Sequence, residues 1–398
     1  MAREAVRGAG EGMNKVAQRM PDALILGGGV AGSALGIRLA RMGRDVEILE
    51  QSAVMHHKVC GEFLSGEAVK YLEQLGIPLR SLGAVAIHGV RLHARSLIAA
   101  CNLPFAALSL TRRRLDEALL VEAGRAGATV LRGRRAEALV CKEDGWHARL
   151  AGGEMRRARA AFLATGKHDL FGHRRPEGKQ NRLVAFKMYL RLAMKQQRAL
   201  SGWVELFLFP GGYAGLQMVE EGQSNLCLVV ERSALERCGR DWPSLLAHML
   251  RSSAPLAERL EGAEPLLPKP LALSSIPYCM LMQTAQDCLW RLGDQAAVIP
   301  SFSGDGMSIA LHSALLAAEM YERGATAVQF AQVMRGQLRM QVHLATAISR
   351  MMVSVPVVAQ FARLWPGLVG HIAARTRVPS AMWVTALPGL RHNGIGLV

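Results

Sequence analysis

Residues 22–33 of the chain, DALILGGGVAGS, place Gly27, Gly29 and Gly32 between an apolar strand and the start of a helix. In such a GxGxxG turn the first glycine permits a tight turn, the second lets the backbone approach a pyrophosphate, and the third lets the helix pack closely on the strand. The next apolar strand ends at Glu50, whose carboxylate can accept ribose hydroxyl protons. This βαβ context predicts a dinucleotide site with the phosphates at the helix N-terminus.

The composition limits the classes of protein to which the chain can belong. Half of the 398 residues are hydrophobic, which suits one intertwined unit or two domains. The net charge is +16, yet the basic residues are scattered, so we expect general attraction to anions and no nucleic-acid partner. The seven cysteines lack any CxxC or Cys/His ligand spacing, which argues against a metal site and a disulfide framework and favours a cytoplasmic location.

The two ends of the chain differ from its centre. Residues 1–20 are polar and basic with several glycines, which predicts a disordered extension. Residues 351–374 are the best candidate for a membrane span, but Pro356, Arg363 and Pro366 interrupt them. We therefore expect helices that cover a hydrophobic cavity and contact a membrane at most peripherally.

Hydrophobic periodicity predicts an α/β chain with a β-rich middle and a helical end after residue 308. Thr111 is a candidate N-cap for a helix that Gly127 ends. The predicted helices are 31–41, 65–74, 112–126 and 242–260. The predicted strands are 23–26, 46–49, 85–98, 128–131, 136–142, 146–150, 160–163, 183–192, 204–209, 213–219 and 224–230.

Three segments that are far apart in the sequence, which we call stations, have the residue types that a flavin dinucleotide needs. The first is the glycine turn with the carboxylate that ends the second strand. The second is Arg112, four residues before Asp116. The third starts at Asp294, which can hold a ribityl hydroxyl, and ends in a turn at 304–307 whose backbone amides can meet the flavin pyrimidine and the diphosphate.

Together with three further motifs, these stations resemble FAD-dependent oxidoreductases that share the fold of aromatic hydroxylases, and within them the geranylgeranyl reductase-like branch. The motifs are KVCGE at 58–62, ATG at 164–166 and FPGGY at 209–213. The resemblance covers about 23–330. It implies one extended FAD whose ring lies between a glutathione-reductase-type, Rossmann-like α/β domain and an interleaved β-sheet substrate domain, followed by a C-terminal helical region.

The chain departs from two groups within that fold. Thr165 and Gly166, followed by Lys167, stand where aromatic hydroxylases carry an Asp-Gly pair that contributes to reduced-nicotinamide handling. This departure weakens the case for a conventional NADPH-driven hydroxylase. The Trp-x-Trp-x-Ile-Pro signature of tryptophan halogenases is absent.

The predicted domains are discontinuous. An FAD-binding domain takes residues 21–80, 108–170 and 284–330, and a substrate domain takes 81–107 and 171–283. Residues 331–398 form a helical cap, in which we interpret Met334, Met340, Met351 and Met352 as core or cavity lining.

Cys60, Lys58 and Tyr213 are the candidate catalytic residues. Cys60 either takes part in redox chemistry at the flavin or packs as a small apolar residue. Lys58 either anchors its loop by an ion pair with Glu62 or places a charge near the flavin. Tyr213 either donates its hydroxyl to a substrate or packs as a wedge. The predicted cofactor contacts are Gly27, Gly29, Ala31, Gly32, Glu50, Gln51, Cys60, Gly61, Arg112, Thr165, Gly166, Gly293, Asp294, Pro300, Gly304, Gly306 and Met307.

Two other groups are interpreted as structural. His56 and His57 are expected to be exposed loop residues, and Lys167-His168-Asp169 is expected to be a hinge or a turn.

The leading functional hypothesis is an FAD-dependent reductase that saturates a carbon–carbon double bond of an apolar, prenyl- or polyketide-derived lipid by hydride transfer from flavin N5. NADPH or NADH, bound transiently, or an external reductase would supply the electrons. The alternative is a flavin monooxygenase that hydroxylates an electron-rich ring through a C4a-hydroperoxide. A third hypothesis is a flavin- or lipid-binding module without catalysis.

Overall fold

The glycine turn joins the first strand to the first helix. The computed structural model describes residues 20–94, 97–180, 182–274, 276–283 and 288–353. Ala23–Leu26 (β1) leads through the turn into Val30–Arg41 (α1), and Val46–Glu50 (β2) returns to pair in parallel with β1. This is the predicted βαβ unit. The predicted extension before Met20 and the cap beyond Val353 lie outside the described residues.

The remaining elements follow in chain order. The helices are Gly66–Gln74 (α2), Arg112–Arg125 (α3), Met194–Leu200 (α4), Arg232–Arg237 (α5), Trp242–Ser252 (α6), Ala254–Arg259 (α7), Gly306–Glu322 (α8) and Ala327–Val353 (α9). The strands are Phe63–Leu64 (β3), Val85–Ala94 (β4), Leu97–Ser109 (β5), Thr129–Arg132 (β6), Ala136–Lys142 (β7), Gly145–Leu150 (β8), Met155–Ala158 (β9), Ala160–Leu163 (β10), Leu183–Arg191 (β11), Trp203–Phe209 (β12), Gly212–Met218 (β13), Ser224–Glu231 (β14), Glu264–Pro265 (β15), Leu271–Ser274 (β16), Met280–Leu281 (β17), Trp290–Arg291 (β18) and Ala297–Val298 (β19).

The parallel sheet packs between two layers. Its strand order is β18, β10, β1, β2, β6, and each of these pairings is parallel. Ala23 and Ile25 face a core shared with α1, α3 and α8, whereas Leu24 and Leu26 face the three-stranded sheet of β7, β8 and β9. The alternation follows from the two-residue period of a strand. The carboxyl ends of β1, β2 and β10 open at one edge, which is where parallel sheets bind ligands.

The large sheet runs from β15 through β11, β14, β13, β12, β4 and β5 to β3, with β16 beside β11. Leu226 and Leu228 of β14 pack with α6 and α7 on one face. Cys227 and Val229 point to the opposite face, toward the parallel sheet. One face of the large sheet is therefore a closed core, and the other is available to form a site.

Helix α9 contacts both halves of the molecule. Met334 lies in the core of the parallel sheet, and Met352 lies in the core of the large sheet. The prediction that Met340 is core or cavity lining was wrong, because its side chain is 73% exposed. Within the described ranges, no helix has both the length and the apolar character needed to cross a bilayer.

The predicted fold class is confirmed, with some differences in detail. The predicted strand 85–98 is a hairpin of β4 and β5, because the alanine-rich sequence of β5 with Pro104 lacks a clear alternation. The predicted helix 242–260 is two helices, since Ser253 ends α6 and caps α7. The domain boundaries stay a prediction; β3, inside a predicted FAD-binding segment, pairs with the large sheet.

Candidate functional site

A cavity of about 1090 Å³ lies between the carboxyl ends of the parallel strands and the free face of the large sheet. Pockets for small molecules usually have about 300–1,000 Å³, so this one has room for a ligand larger than a drug-sized compound. The predicted cofactor contacts that border it are Gly27, Gly29, Ala31, Glu50, Gln51, Cys60, Gly61, Arg112, Thr165, Gly166, Gly293, Asp294, Gly304, Gly306 and Met307.

Two predicted contacts, Gly32 and Pro300, are not among the residues that border the cavity. A Cβ on Gly32 would lie 1.9 Å from the carbonyl oxygen of Gly27, so this glycine lets α1 pack against the turn. Gly27 itself has a φ of 108°, in the region that favours glycine. Pro300 is buried beside the cavity.

One end of the cavity is built for an anion. Helix α1 begins after Gly29 with no side-chain cap and no acidic residue in its first turn, so its first N–H groups are open. A Cβ on Gly29 would lie 3.6 Å from Arg112 Nη2 and 3.8 Å from Lys58 Nζ. Both cations bind Asp116, whose oxygens lie 2.7 and 2.9 Å from Arg112 and 2.8 Å from Lys58. Two cations against one carboxylate leave a net positive charge beside the helix N-terminus.

Asp116 is ionised in this cluster. Burial opposes its charge, but Arg112 and Lys58 hold the pKa of the carboxyl below its ordinary value. The predicted ion pair between Lys58 and Glu62 was wrong, because Lys58 binds Asp116 and Glu62 binds Lys187.

Glu50 lies where a ribose would meet the turn. Its two oxygens accept hydrogen bonds from the backbone N–H groups of Gly28 at 2.8 Å and Ser52 at 2.9 Å. A carboxylate has about four acceptor directions, so both oxygens can still accept ribose hydroxyl protons.

A buried arginine fixes the opposite wall. The Arg175 side chain, 4% exposed, donates to Asp169 Oδ1 at 2.6 Å, to the carbonyl of Lys167 at 2.8 Å and to the carbonyl of Asp294 at 3.1 Å. Gln295 Nε2 adds a hydrogen bond of 2.8 Å to the carbonyl of Gly166. The segment predicted as a hinge or turn is thus a turn tied to the Gly293–Gln295 station.

Side chains of the large sheet hold the 58–62 loop. Lys187 Nζ donates to the carbonyl of Lys58 at 3.1 Å. Asn225 Nδ2 lies 3.1 Å from the carbonyl oxygen of Cys60 and 3.0 Å from that of Gly61. Three carbonyls of the loop are therefore directed at the sheet.

Glu62 is the common partner of this network. Its carboxylate accepts from Lys187 Nζ at 2.6 Å, the Tyr189 hydroxyl at 2.6 Å, the backbone N–H of Arg112 at 2.7 Å and Asn225 Nδ2 at 3.1 Å. Glu62 and Lys187 are both fully buried. Burial raises the pKa of Glu62, and the cation of Lys187 opposes that rise.

His57 joins the network from the outside. Its Nδ1 lies 3.2 Å from the Tyr189 hydroxyl, which already donates to Glu62, so the imidazole donates through Nδ1. Burial lowers the pKa of His57 to about 4, with Lys187 acting in the same direction, and the ring is neutral at pH 7. The prediction of an exposed residue was correct for His56 but wrong for His57, which is half-buried.

Sequence reasoning missed Lys187, Tyr189, Asn225 and Arg175. One signal was available: Lys187 interrupts an apolar run within a predicted strand. A lysine in such a position needs a buried counter-charge.

Cys60 and Tyr213 both border the cavity. Cys60 is half-buried, and its Sγ accepts from the N–H of Glu62 at 3.4 Å. The Tyr213 hydroxyl lies 2.8 Å from Ser301 Oγ, and its ring meets Phe302 edge to face. Burial raises the pKa of Tyr213, so its hydroxyl keeps its proton at neutral pH. Among the described residues, no group of three or more His, Cys, Asp or Glu is placed to hold a metal ion.

Comparison with known proteins identifies relatives of this architecture. Residues 20–166 match the family model described as FAD binding domain. The chain is 24% identical over 326 residues to a menaquinone reductase of Mycolicibacterium smegmatis, covering 76% of each chain. It is 28% identical over 322 residues to digeranylgeranylglycerophospholipid reductase 2 of Methanopyrus kandleri, covering 75% of this chain and 76% of the relative. The structure of pqsL, a probable FAD-dependent monooxygenase from Pseudomonas aeruginosa, superposes with a TM-score of 0.70 at 19% identity, covering 86% of this chain and 99% of that one.

Proposed function

We propose that the chain is an FAD-dependent oxidoreductase that reduces a carbon–carbon double bond of an apolar, prenyl- or polyketide-derived lipid. The observation that carries the proposal is the continuity of the cavity, which runs from the dinucleotide turn onto an apolar sheet face. Both curated relatives described above are reductases by name, and one is named for a prenyl lipid.

The residues at the dinucleotide end fit FAD. The open N-terminus of α1, with Arg112 and Lys58, would hold the diphosphate, and Gly29 leaves room for it. Glu50 would accept the ribose hydroxyls, and Asp294 would hold the ribityl chain. In this arrangement Lys58 would lie beside the phosphates and not near the flavin ring, which was one of its two predicted positions.

The other end of the cavity fits an apolar chain. Val90, Val204, Leu206 and Leu273 line it from three strands of the large sheet, β4, β12 and β16. Burial of hydrocarbon on these side chains would supply most of the binding free energy, at about 25 cal/mol per Å².

Bound FAD, reduced by a transiently bound nicotinamide or by an external reductase, supplies the hydride. The protein must then supply one proton to the other carbon of the double bond. Tyr213 is our candidate donor, because the residue borders the cavity and its hydroxyl stays protonated at neutral pH. Ser301, 2.8 Å away, can return a proton to it. The 58–62 loop, fixed by Lys187 and Asn225, would keep water from this side of the site.

The test is anaerobic turnover by the purified, FAD-loaded chain. NADPH, NADH or dithionite should bleach the flavin, and geranylgeraniol or a menaquinone should then restore its colour and gain two hydrogens. Tyr213→Phe should retain FAD and flavin reduction but slow this second step by about 10²-fold. Ser252→Ala, a hydroxyl removed far from the cavity, is the control. A flavin that none of the three reductants bleaches would exclude the redox function.

The alternative is a monooxygenase, and the fold shared with pqsL supports it. A product that gains one oxygen atom and forms only in air would favour this alternative. Turnover in the absence of oxygen would reject it.

A further inference from the structure

Gly215 lies in the middle of β13, on the sheet face that borders the cavity. Its neighbours across the sheet are Leu206 on β12 and Cys227 on β14, and both border the cavity too. A glycine inside a strand weakens the sheet, because its backbone loses more conformational entropy on folding than that of other residues and it has no side chain to pack. Its presence here therefore needs a reason.

The fold itself does not require this glycine. A Cβ on Gly89 or Gly212 would lie 2.4 Å from a ring atom of Trp203 or from the carbonyl oxygen of Val229, so neither position admits a side chain. At Gly215 the nearest atoms would be Leu206 Cδ2 at 3.5 Å and the Cys227 carbonyl oxygen at 3.7 Å, which are ordinary contacts. Gly215 is also not among the residues with positive φ. An alanine would fit without strain.

The space over Gly215 separates two kinds of surface. The residues of one row across the sheet are Leu206, Gly215, Cys227 and Lys187, each paired with the next. On the Leu206 side the cavity wall is apolar, and on the Lys187 side lies the polar network around Glu62. Burial raises the pKa of Cys227 to about 12, so the thiol between them is uncharged.

We propose that Gly215 is a specificity-determining residue whose missing side chain forms a slot in the cavity floor for an amphipathic lipid, at the point where its polar end joins its apolar chain. The chain lies over Leu206 and Val204, and the polar end lies over Cys227. Tyr213 precedes Gly215 by two residues on the same face, which places the proton-holding side chain about 7 Å along the strand from the slot. The substrate class rests on the proposed function; the slot rests on the glycine geometry.

The test fills the slot in the full-length, FAD-loaded chain. The variants are Gly215→Ala, Gly215→Val and Gly215→Leu, with Gly124→Ala on the exposed side of α3 as the control for an unrelated glycine. Gly212→Ala is the control for a glycine that the fold requires. Binding of farnesol and geranylgeraniol is followed by the change in the visible spectrum of the oxidised flavin, which requires no turnover.

We expect Gly215→Ala to have an unchanged or slightly higher Tm, because the strand loses a flexible residue, whereas Gly212→Ala lowers the Tm. Gly215→Val should retain FAD and bind geranylgeraniol about tenfold more weakly, and Gly215→Leu should bind it more weakly still. Gly124→Ala should bind as the parent chain does.

Three results would overturn the slot: binding by Gly215→Leu within about twofold of the parent, a Tm of Gly215→Ala as low as that of Gly212→Ala, or a parent chain that binds neither prenyl alcohol. A parent chain that binds geranylgeraniol through Gly215 but never reduces a double bond rejects the proposed reaction and leaves the slot intact.

Discussion

Lys187→Met removes the cation that neutralises Glu62. The two side chains lie 2.6 Å apart and are fully buried, so the variant leaves the carboxyl group of Glu62 without its cation in a site that water does not reach. Removing one partner of a buried pair usually costs about 3–5 kcal/mol. Tyr189, Asn225 and a backbone N–H still donate to Glu62, so we expect the lower end, a loss of about 3 kcal/mol in the free energy of unfolding.

The assay is urea unfolding at one fixed excess of FAD, because ligand binding adds its own stabilisation. Arg44→Ala is the control. Its partner Glu322 lies 2.9 Å away, but the two side chains are 38% and 37% exposed, so solvent screens the pair and its loss should cost far less than that of the buried pair. If Lys187→Met costs no more than Arg44→Ala, the carboxylate is not buried as an ion, and our account of the network is wrong.

In the same variant the pH dependence of stability should extend to higher pH than in the parent chain. Burial raises the pKa of Glu62, and loss of the lysine raises it further. A carboxyl whose pKa is raised by folding binds its proton more tightly in the native state than in the unfolded state. The native state is therefore favoured at acid pH, and it loses stability as the pH rises from about 4.5 through the raised pKa. Adding Glu62→Gln to Lys187→Met should remove this slope and recover more than half of the loss, since no charge is then buried.

Three further outcomes follow from the geometry. Gly29→Ala should leave the Tm without FAD unchanged, because its Cβ meets only the ends of Arg112 and Lys58, but it should weaken FAD binding about tenfold or more in a fluorescence titration. Gly32→Ala should lower the Tm itself, because its Cβ would lie 1.9 Å from a carbonyl oxygen. Burial opposes the charge of Glu205, yet its ion-pair and hydrogen-bond partners lower the pKa of its carboxyl to about 2. Its contribution to the free energy of unfolding, up to about 3 kcal/mol, should therefore be complete above pH 4.5 and lost as the pH falls toward 2. Glu205→Gln should abolish that loss between pH 4.5 and 2 in chemical unfolding; an unchanged slope would exclude Glu205 as its source.

The dinucleotide half of the site was predictable because its chemistry is local. The Gly27 turn, the capped helix after Thr111 and the carboxylate of Glu50 each lie within or beside one element, and the shared direction of parallel strands β1 and β2 places the turn and Glu50 at one sheet edge. A short motif specifies the backbone conformation on which this half of the site depends.

The polar network was not predictable in the same way, because it depends on tertiary pairing. Lys187 and Asn225 meet Glu62 across 125 and 163 residues of sequence, through the order of strands in the large sheet. A sequence pattern identifies Lys187 as a buried lysine but does not choose its partner. Ion pairing near the 58–62 loop was therefore assigned to the nearest opposite charge in sequence, which was the wrong one.

Glu62 shows where this chain departs from what stability alone would favour. Its φ is 62°, a conformation that glutamate rarely adopts and that costs about 1–3 kcal/mol when held in place. Its side chain is also a buried charge, which a hydrophobic pair could replace without loss of stability. Both unfavourable features occur in one residue, at the end of the loop that carries Cys60 along the cavity. Because the backbone strain and the buried charge are compensated by the same four donors, the network holds the loop in one conformation, and any variant that weakens it should disturb the cavity before it unfolds the chain.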